Sequence, residues 1–175
     1  MNECLYYVVG WVIAGRRLFL LWRDGGAEPD KYAIGTDGSS LLNAASIEEL
    51  IELGREHGLE TNGQLAHTVD FDAALIVLMR LRTARPLSQR SSSLLLDAWN
   101  ALEDASRSID ISLLTRDPRS KVKSDQLYEK IFFGNNLPSM TPEGHEYRPL
   151  FNSEERALLR NMFRVAIGKL AAETA

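Results

Sequence analysis

The chain has 175 residues, of which 45% are apolar and 25% charged, and its formal net charge is −4 at pH 7. This length and apolar fraction suffice for a hydrophobic core and predict one domain over residues 1–175. The mild negative charge argues against a dedicated nucleic-acid-binding domain, because such domains are usually basic. The single cysteine, Cys4, excludes an intramolecular disulfide and is typical of a reducing compartment.

The first 23 residues are strongly apolar but do not have the pattern of a targeting segment. Glu3 precedes the apolar run, and Arg16 and Arg17 interrupt it. A signal peptide carries positive charge first, and a membrane-spanning helix needs about 20 apolar residues. We therefore expect a soluble, cytoplasmic protein. The stretch is rich in Tyr, Val, Trp and Ile, and it predicts a β-hairpin of residues 5–13 and 18–23.

Helical patterns follow these strands. Ser46 with Glu49, and Asn152 with Glu155, have the spacing of capping boxes. Apolar residues at helical spacing, or flanking signals, predict helices over 47–56, 70–82, 94–109, 126–133 and from 153 onward. Residues 59–68 are polar and are expected to be irregular, and 110–124 to be a loop or short strand. Strands followed by helices predict an α+β fold, with a small antiparallel N-terminal β-sheet packed against a layer of four to five α-helices.

The helix over 94–109 is expected to be the centre of the core. Its apolar residues share one arc, with Trp99 in the middle, and a serine of the run 91–93 is the expected N-cap. Asp97, Asn100 and Asp104 fall on the other arc and are expected to form a row facing solvent.

The sequence contains no recognisable catalytic or metal-binding motif. His57, His67 and His145 are scattered, no paired cysteines occur, and no glycine pattern for phosphate or dinucleotide binding is present. We therefore expect no catalytic residues, no metal and no cofactor. The alternative is a small hydrolase or transferase that uses His145 with Glu143 or Glu146 for proton transfer.

Acidic residues are concentrated in one part of the chain. Residues 24–60 contain nine acidic and only two basic side chains. Like charges on one helix face repel, so this crowding indicates either plain solubility or a surface for a cationic partner. The residues expected to contact such a partner are Asp24, Glu28, Asp30, Asp37, Glu48, Glu49, Glu52, Glu56, Asp97 and Asp104.

The overall layout resembles that of bacterial immunity proteins, particularly those of contact-dependent growth inhibition systems. The resemblance lies in the β-rich opening YYVVGWVIAGRRLFLLW, the acidic middle and the helical stretch SSSLLLDAWNALEDASRSI. That stretch is similar to an L-L-x-A-W-x-x-x-D-x-A pattern, with a one-residue difference in spacing, through Leu95, Leu96, Ala98, Trp99, Asp104 and Ala105. The resemblance implies a non-catalytic cytoplasmic inhibitor that binds a toxin domain and covers its toxic site.

The resulting hypothesis is an immunity protein that neutralises a basic toxin domain, expected to be a nuclease, through an acidic surface. A nuclease needs a cationic groove for phosphate, which an acidic protein can occupy. The hypothesis implies neither direct nucleic-acid binding nor membrane binding, and it leaves the oligomeric state open. A third possibility is a structural subunit whose apolar N-terminal strands form an edge for oligomerisation.

Overall fold

The computed structural model describes residues 5–114 and 118–174, so Cys4 lies outside the described residues. The chain is α+β, as predicted, with five helices and a five-stranded mixed sheet in the described part. The strands are β1 (Tyr6–Ile13), β2 (Arg16–Arg23), β3 (Lys31–Tyr32), β4 (Asn43–Ala44) and β5 (Thr61–Asp70). The helices are α1 (Ile47–Glu56), α2 (Phe71–Arg80), α3 (Gln89–Ser108), α4 (Pro118–Phe133) and α5 (Ser153–Glu173).

The predicted N-terminal hairpin is confirmed, with a tighter turn than the sequence indicated. Strands β1 and β2 pair antiparallel from Tyr7 opposite Trp22 to Ile13 opposite Arg16. The two turn residues, Ala14 and Gly15, have φ values of 50° and 72°. Positive φ at both central positions matches the right-handed twist of the strands, so β2 begins directly after this two-residue turn.

Strand β5 corrects the expectation that residues 59–68 are irregular. It pairs parallel with β1, and the sheet order is β3-β2-β1-β5, with β4 also pairing with β2. Residues 64–68 are all exposed, so the strand has no alternating apolar pattern and is defined by its backbone pairing to β1. β1 therefore lies between β2 and β5, and the other edge of β2 pairs with β3 and β4. This arrangement contradicts the hypothesis that the N-terminal strands provide an open edge.

The sheet is covered on both faces. Val9, Trp11 and Ile13 of β1 face the main core, which also contains buried residues of α2, α3, α4 and α5. Val8, on the opposite face of the same strand, packs in a second cluster with Leu50 of α1. Side chains alternate along a strand, so α1 lies on one face of the sheet and the α3 layer on the other.

Helix α3 is central to the core, as expected, but begins earlier than predicted. Its N-cap is Ser88, whose side chain accepts a hydrogen bond from Ser91 N–H, rather than a serine of the run 91–93. Trp99 is 1% exposed and packs edge-on against Phe163 of α5, with ring centroids 5.6 Å apart. Helical spacing predicts that Met79 of α2 faces the core with Leu75 and Leu78, but Met79 is 75% exposed, so that prediction is wrong.

Helix α4 corrects the second part of the loop or short strand expected over 110–124, whereas residues 111–114 have no regular structure, in keeping with that expectation. It starts at Pro118, and proline is well tolerated in a first helical turn because the N–H it lacks would have no partner there. Lys123 and Lys130 of α4 form ion pairs with Glu154 and Glu155 at the start of α5. Across the described residues, none of the helices is both long and apolar enough to cross a membrane.

Candidate functional site: an acidic pocket between the sheet and α3

A small pocket lies where α3 crosses the sheet. Its volume is about 180 Å³. Acidic, aromatic and amide side chains line it together. The lining residues are Trp22, Asp30, Tyr32, His67, Val69, Asp97, Asn100, Ala101 and Asp104. We call this the acidic pocket.

The fold brings these residues together from distant parts of the sequence. Asp97 and Asp104 are seven residues apart on α3, which is two helical turns, so both point to the same side of the helix. Trp22 lies near the end of β2, and His67 lies in β5, which pairs with the opposite edge of β1. The rings of Trp22 and His67 meet at 85°, with centroids 6.5 Å apart. The acidic pocket therefore depends on the parallel pairing of β5.

Asp104 is the most deeply placed carboxylate of the acidic pocket. It is only 7% exposed, which corrects the expectation that it belongs to a solvent-facing row. Its Oδ2 accepts a hydrogen bond from Trp22 Nε1 at 3.0 Å, and Oδ1 pairs with Arg107 one turn along α3. Burial raises the pKa of Asp104, and the bonds from Trp22 and Arg107 offset only part of that rise.

The other two carboxylates add to the negative potential. Burial raises the pKa of Asp97, while the nearby His67 acts in the opposite direction. Asp97 makes no hydrogen bond or ion pair with the described residues. Asp30 accepts a bond from Gly25 N–H at 2.9 Å, and its charge contributes to the raised pKa of Asp104. Three carboxylates thus line one confined space, and Arg107 pairs with one of them, Asp104.

This arrangement is suited to receive a cation. An unpaired carboxylate in a partly desolvated site is stabilised when a positive charge enters, and the aromatic faces can contact a guanidinium or ammonium group. Within 5–114 and 118–174, no group of three or more His, Cys, Asp or Glu side chains could hold a metal ion. A lysine or arginine side chain is a cation that carboxylates and aromatic faces can bind together.

The ten acidic residues predicted from the sequence are divided among separate places. Asp30, Asp97 and Asp104 line the acidic pocket. Four others lie on the solvent face of α1, on the opposite face of the sheet: Glu48, Glu49, Glu52 and Glu56. Glu49 accepts a hydrogen bond from Ala45 N–H and Glu52 pairs with Arg55, so this row is partly engaged in stabilising its own helix.

The remaining three predicted acids stabilise loops. Asp24 accepts from Gly26 N–H at 2.7 Å, and Glu28 pairs with Arg23 of β2. Asp37 accepts hydrogen bonds from Ser39 and Ser40, which hold its pKa well below its usual range. Their charges remain exposed, but their positions are explained by local turn geometry.

His145, the candidate of the alternative enzymatic hypothesis, lies in the connector between α4 and α5. It lines an open concavity of about 480 Å³ with Phe133, Met140 and Tyr147. The neighbouring Glu146 accepts a bond from Arg148 at 2.7 Å, which lowers its pKa. Glu146 is thus engaged by Arg148, and the use of His145 with Glu143 or Glu146 for proton transfer stays a prediction.

Sequence reasoning missed four side chains of the acidic pocket. The sequence predicts Trp22 only as part of the strand 18–23 and Asn100 only as part of a polar row, and it assigns Tyr32 to no site. His67 had no signal at all, because its strand carries no apolar alternation.

Comparison of the chain with family models, with curated proteins and with solved structures finds no match.

Proposed function

We propose that this chain is a cytoplasmic immunity protein that binds and neutralises a basic toxin domain, a nuclease of a contact-dependent growth inhibition system. The acidic pocket would receive a lysine or arginine side chain of that domain. The observation that supports this best is the convergence of Asp30, Asp97 and Asp104 on one pocket, with the pKa values of two of them raised by burial.

Asp104 is already largely removed from water in the free protein. Taking a carboxylate out of water is costly, and here folding has already met part of that cost. An entering cation therefore gains the attraction of Asp97 and Asp104 without removing all of their water itself. Such a pre-organised anchor at an interface contributes affinity, whereas exposed charges mainly set the rate of encounter.

The solvent face of α1 is suited to that second role. Glu48 and Glu56 make no ion pair or hydrogen bond with the described residues. Residues 24–60, which include this helix, contain nine acids against two basic side chains. An electrostatic field of this sign attracts a cationic groove over a distance of about 10 Å at 0.1 M ionic strength.

The first test uses survival of bacteria that produce the toxin domain encoded next to this chain. Asp97→Asn is expected to weaken protection and to raise the Kd of the purified pair about tenfold or more, because one anchor charge is lost. Glu173→Gln, which removes an exposed carboxylate at the end of α5, is the matched control and should leave both unchanged. Full protection by Asp97→Asn together with an unchanged Kd would contradict the assignment of the acidic pocket.

A second test separates encounter from anchoring. Neutralising Glu48, Glu52 and Glu56 to glutamine is expected to slow association at low salt and to leave dissociation nearly unchanged. Glu49 is kept, because its bond to Ala45 N–H stabilises the start of α1. Association rates that stay equal to wild type at low salt would place the toxin contact elsewhere.

A further inference from the structure

A second cavity, separate from the acidic pocket, lies between the end of α2 and the start of α3. Its volume is about 280 Å³. Arg80, Arg82 and Arg85 line it together with Ser88 and Ser91, and Val77, Leu81, Pro86 and Leu87 complete its walls. We call this the arginine cavity. It combines an apolar wall with several hydrogen-bond donors, which is the usual composition of a site for a small polar ligand.

The cations of the arginine cavity have no internal counterion. Residues 73–96 contain four arginines and not one Asp or Glu. Arg80, Arg82 and Arg85 make no side-chain hydrogen bond or ion pair with the described residues. The wider surroundings are basic as well, because Arg156 and Arg160 of α5 bind the carbonyl of Leu81. Guanidinium groups gathered in this way repel one another until an anion binds between them.

The start of α3 adds a second source of positive potential. The first turn of this 20-residue helix contains no acidic side chain, although acids are favoured at that position. The first N–H groups of a helix have no intrahelical acceptor, and here only that of Ser91 is capped, by Ser88 Oγ. The start of α3 contributes Ser88 and Ser91 to the wall of the arginine cavity, so its positive end lies beside the arginines.

From these observations we propose that the arginine cavity binds the phosphate group of a small phosphorylated molecule. Three guanidinium groups supply paired N–H donors with the geometry that phosphate oxygens accept, and a phosphate dianion matches their charge better than a single carboxylate does. The site is a cavity bounded by the loop of residues 81–88 rather than a long groove. This shape favours one phosphate group over the backbone of an extended nucleic acid. The proposal is independent of the acidic pocket and of any toxin.

The test is a titration of the full chain with inorganic phosphate and with pyrophosphate, with sodium chloride adjusted to constant ionic strength. Binding is followed by ¹H–¹⁵N NMR, and saturable shifts are expected in the backbone amides of Gln89 and Arg90. The double variant Arg82→Gln, Arg85→Gln is expected to raise the Kd about tenfold or more. Both side chains are exposed, so circular dichroism should show an unchanged fold.

Arg17→Gln is the matched control. Arg17 is exposed on β2, close to the turn that is bonded to Asp72 at the opposite end of α2. The Arg17→Gln variant should leave the Kd for phosphate unchanged. Equal weakening in both variants, or shifts that do not saturate, would reduce the effect to general charge screening and overturn the proposal. Binding of a single-stranded oligonucleotide, without any binding of phosphate or pyrophosphate, would also overturn the proposal. The arginines would then contact a nucleic-acid backbone.

Discussion

The hydrogen bond between Trp22 and Asp104 should carry a measurable share of the stability of the protein. Trp22 Nε1 lies 3.0 Å from Asp104 Oδ2, and the Asp104 side chain is only 10% exposed. Trp22→Phe removes this donor and leaves the oxygen in a site that water reaches poorly. Hydrogen bonds to charged groups contribute about 1.5–3 kcal/mol. Arg107 still binds the other oxygen, so we expect a loss of about 2 kcal/mol in the free energy of unfolding at neutral pH.

A comparison of two carboxylates of α3 that each accept a hydrogen bond from a tryptophan, Asp104 and Glu103, isolates the role of burial. Trp99 Nε1 donates to Glu103 at the same distance, 3.0 Å, on the same helix, but the Glu103 side chain is 44% exposed. Glu103→Gln should therefore cost less than ~0.5 kcal/mol, because water can replace the bond. The cycle formed by Trp22→Phe, Asp104→Asn and the double variant should show a coupling of about 1 kcal/mol or more.

The pH dependence provides an independent check. The pKa of Asp104 is raised above its ordinary value, so the folded state binds a proton there more tightly than the unfolded state. The stability contributed by this group is therefore greatest at low pH and falls as pH rises from the ordinary value through the folded pKa. The bond from Trp22 favours the ionised form, so the cost of Trp22→Phe should shrink in acid. Urea denaturation followed by circular dichroism measures both effects. A cost below ~0.5 kcal/mol that does not change with pH would refute the reasoning.

Three further predictions concern packing and turn geometry, and each is read from urea denaturation. Ser92 Oγ is buried without a hydrogen-bond partner in the described chain, so Ser92→Ala should leave stability within ~0.5 kcal/mol or raise it; a larger loss would reveal a hidden partner. Gly134→Ala should cost about 1–3 kcal/mol, because its Cβ would lie 2.4 Å from Ser92 Oγ, and Ser92→Ala should recover part of that loss. Asp72→Ala should cost about 1 kcal/mol, because the carboxylate accepts from the N–H groups of Ala14 and Gly15; an unchanged midpoint would contradict this.

The elements that were predicted correctly are those with strong local signals. The capping box of Asn152 and Glu155 occurs as expected, with both reciprocal hydrogen bonds present. At α1, Ser46 caps the helix, but Glu49 accepts from Ala45 N–H, one residue before the cap. Each of these features depends on residues close in the sequence, which is why local spacing predicts them.

What could not be predicted depends on contacts between distant segments. Strand β5 is held by backbone hydrogen bonds to β1, some 55 residues earlier, and its exposed side chains carry no periodic signal. Asp104 was assigned to solvent because helical spacing placed it on the polar arc of α3. It is buried because Trp22, which lies 82 residues away, covers it. A polar side chain within a buried face can be identified only when its partner is known.

Fixed anchors place the walls of the acidic pocket without a contribution from the charge of Asp97, which makes no hydrogen bond or ion pair with the described residues. Val69 is buried and Asp70 caps α2 through Ala73 N–H, so the end of β5 is held whatever residue stands at position 67. Apolar residues on the other arc of α3 fix that helix in the same way, independently of Asp97. Asp97 is exposed and is not engaged by the described residues, so under the proposed function its charge is left to bind a cation of the partner.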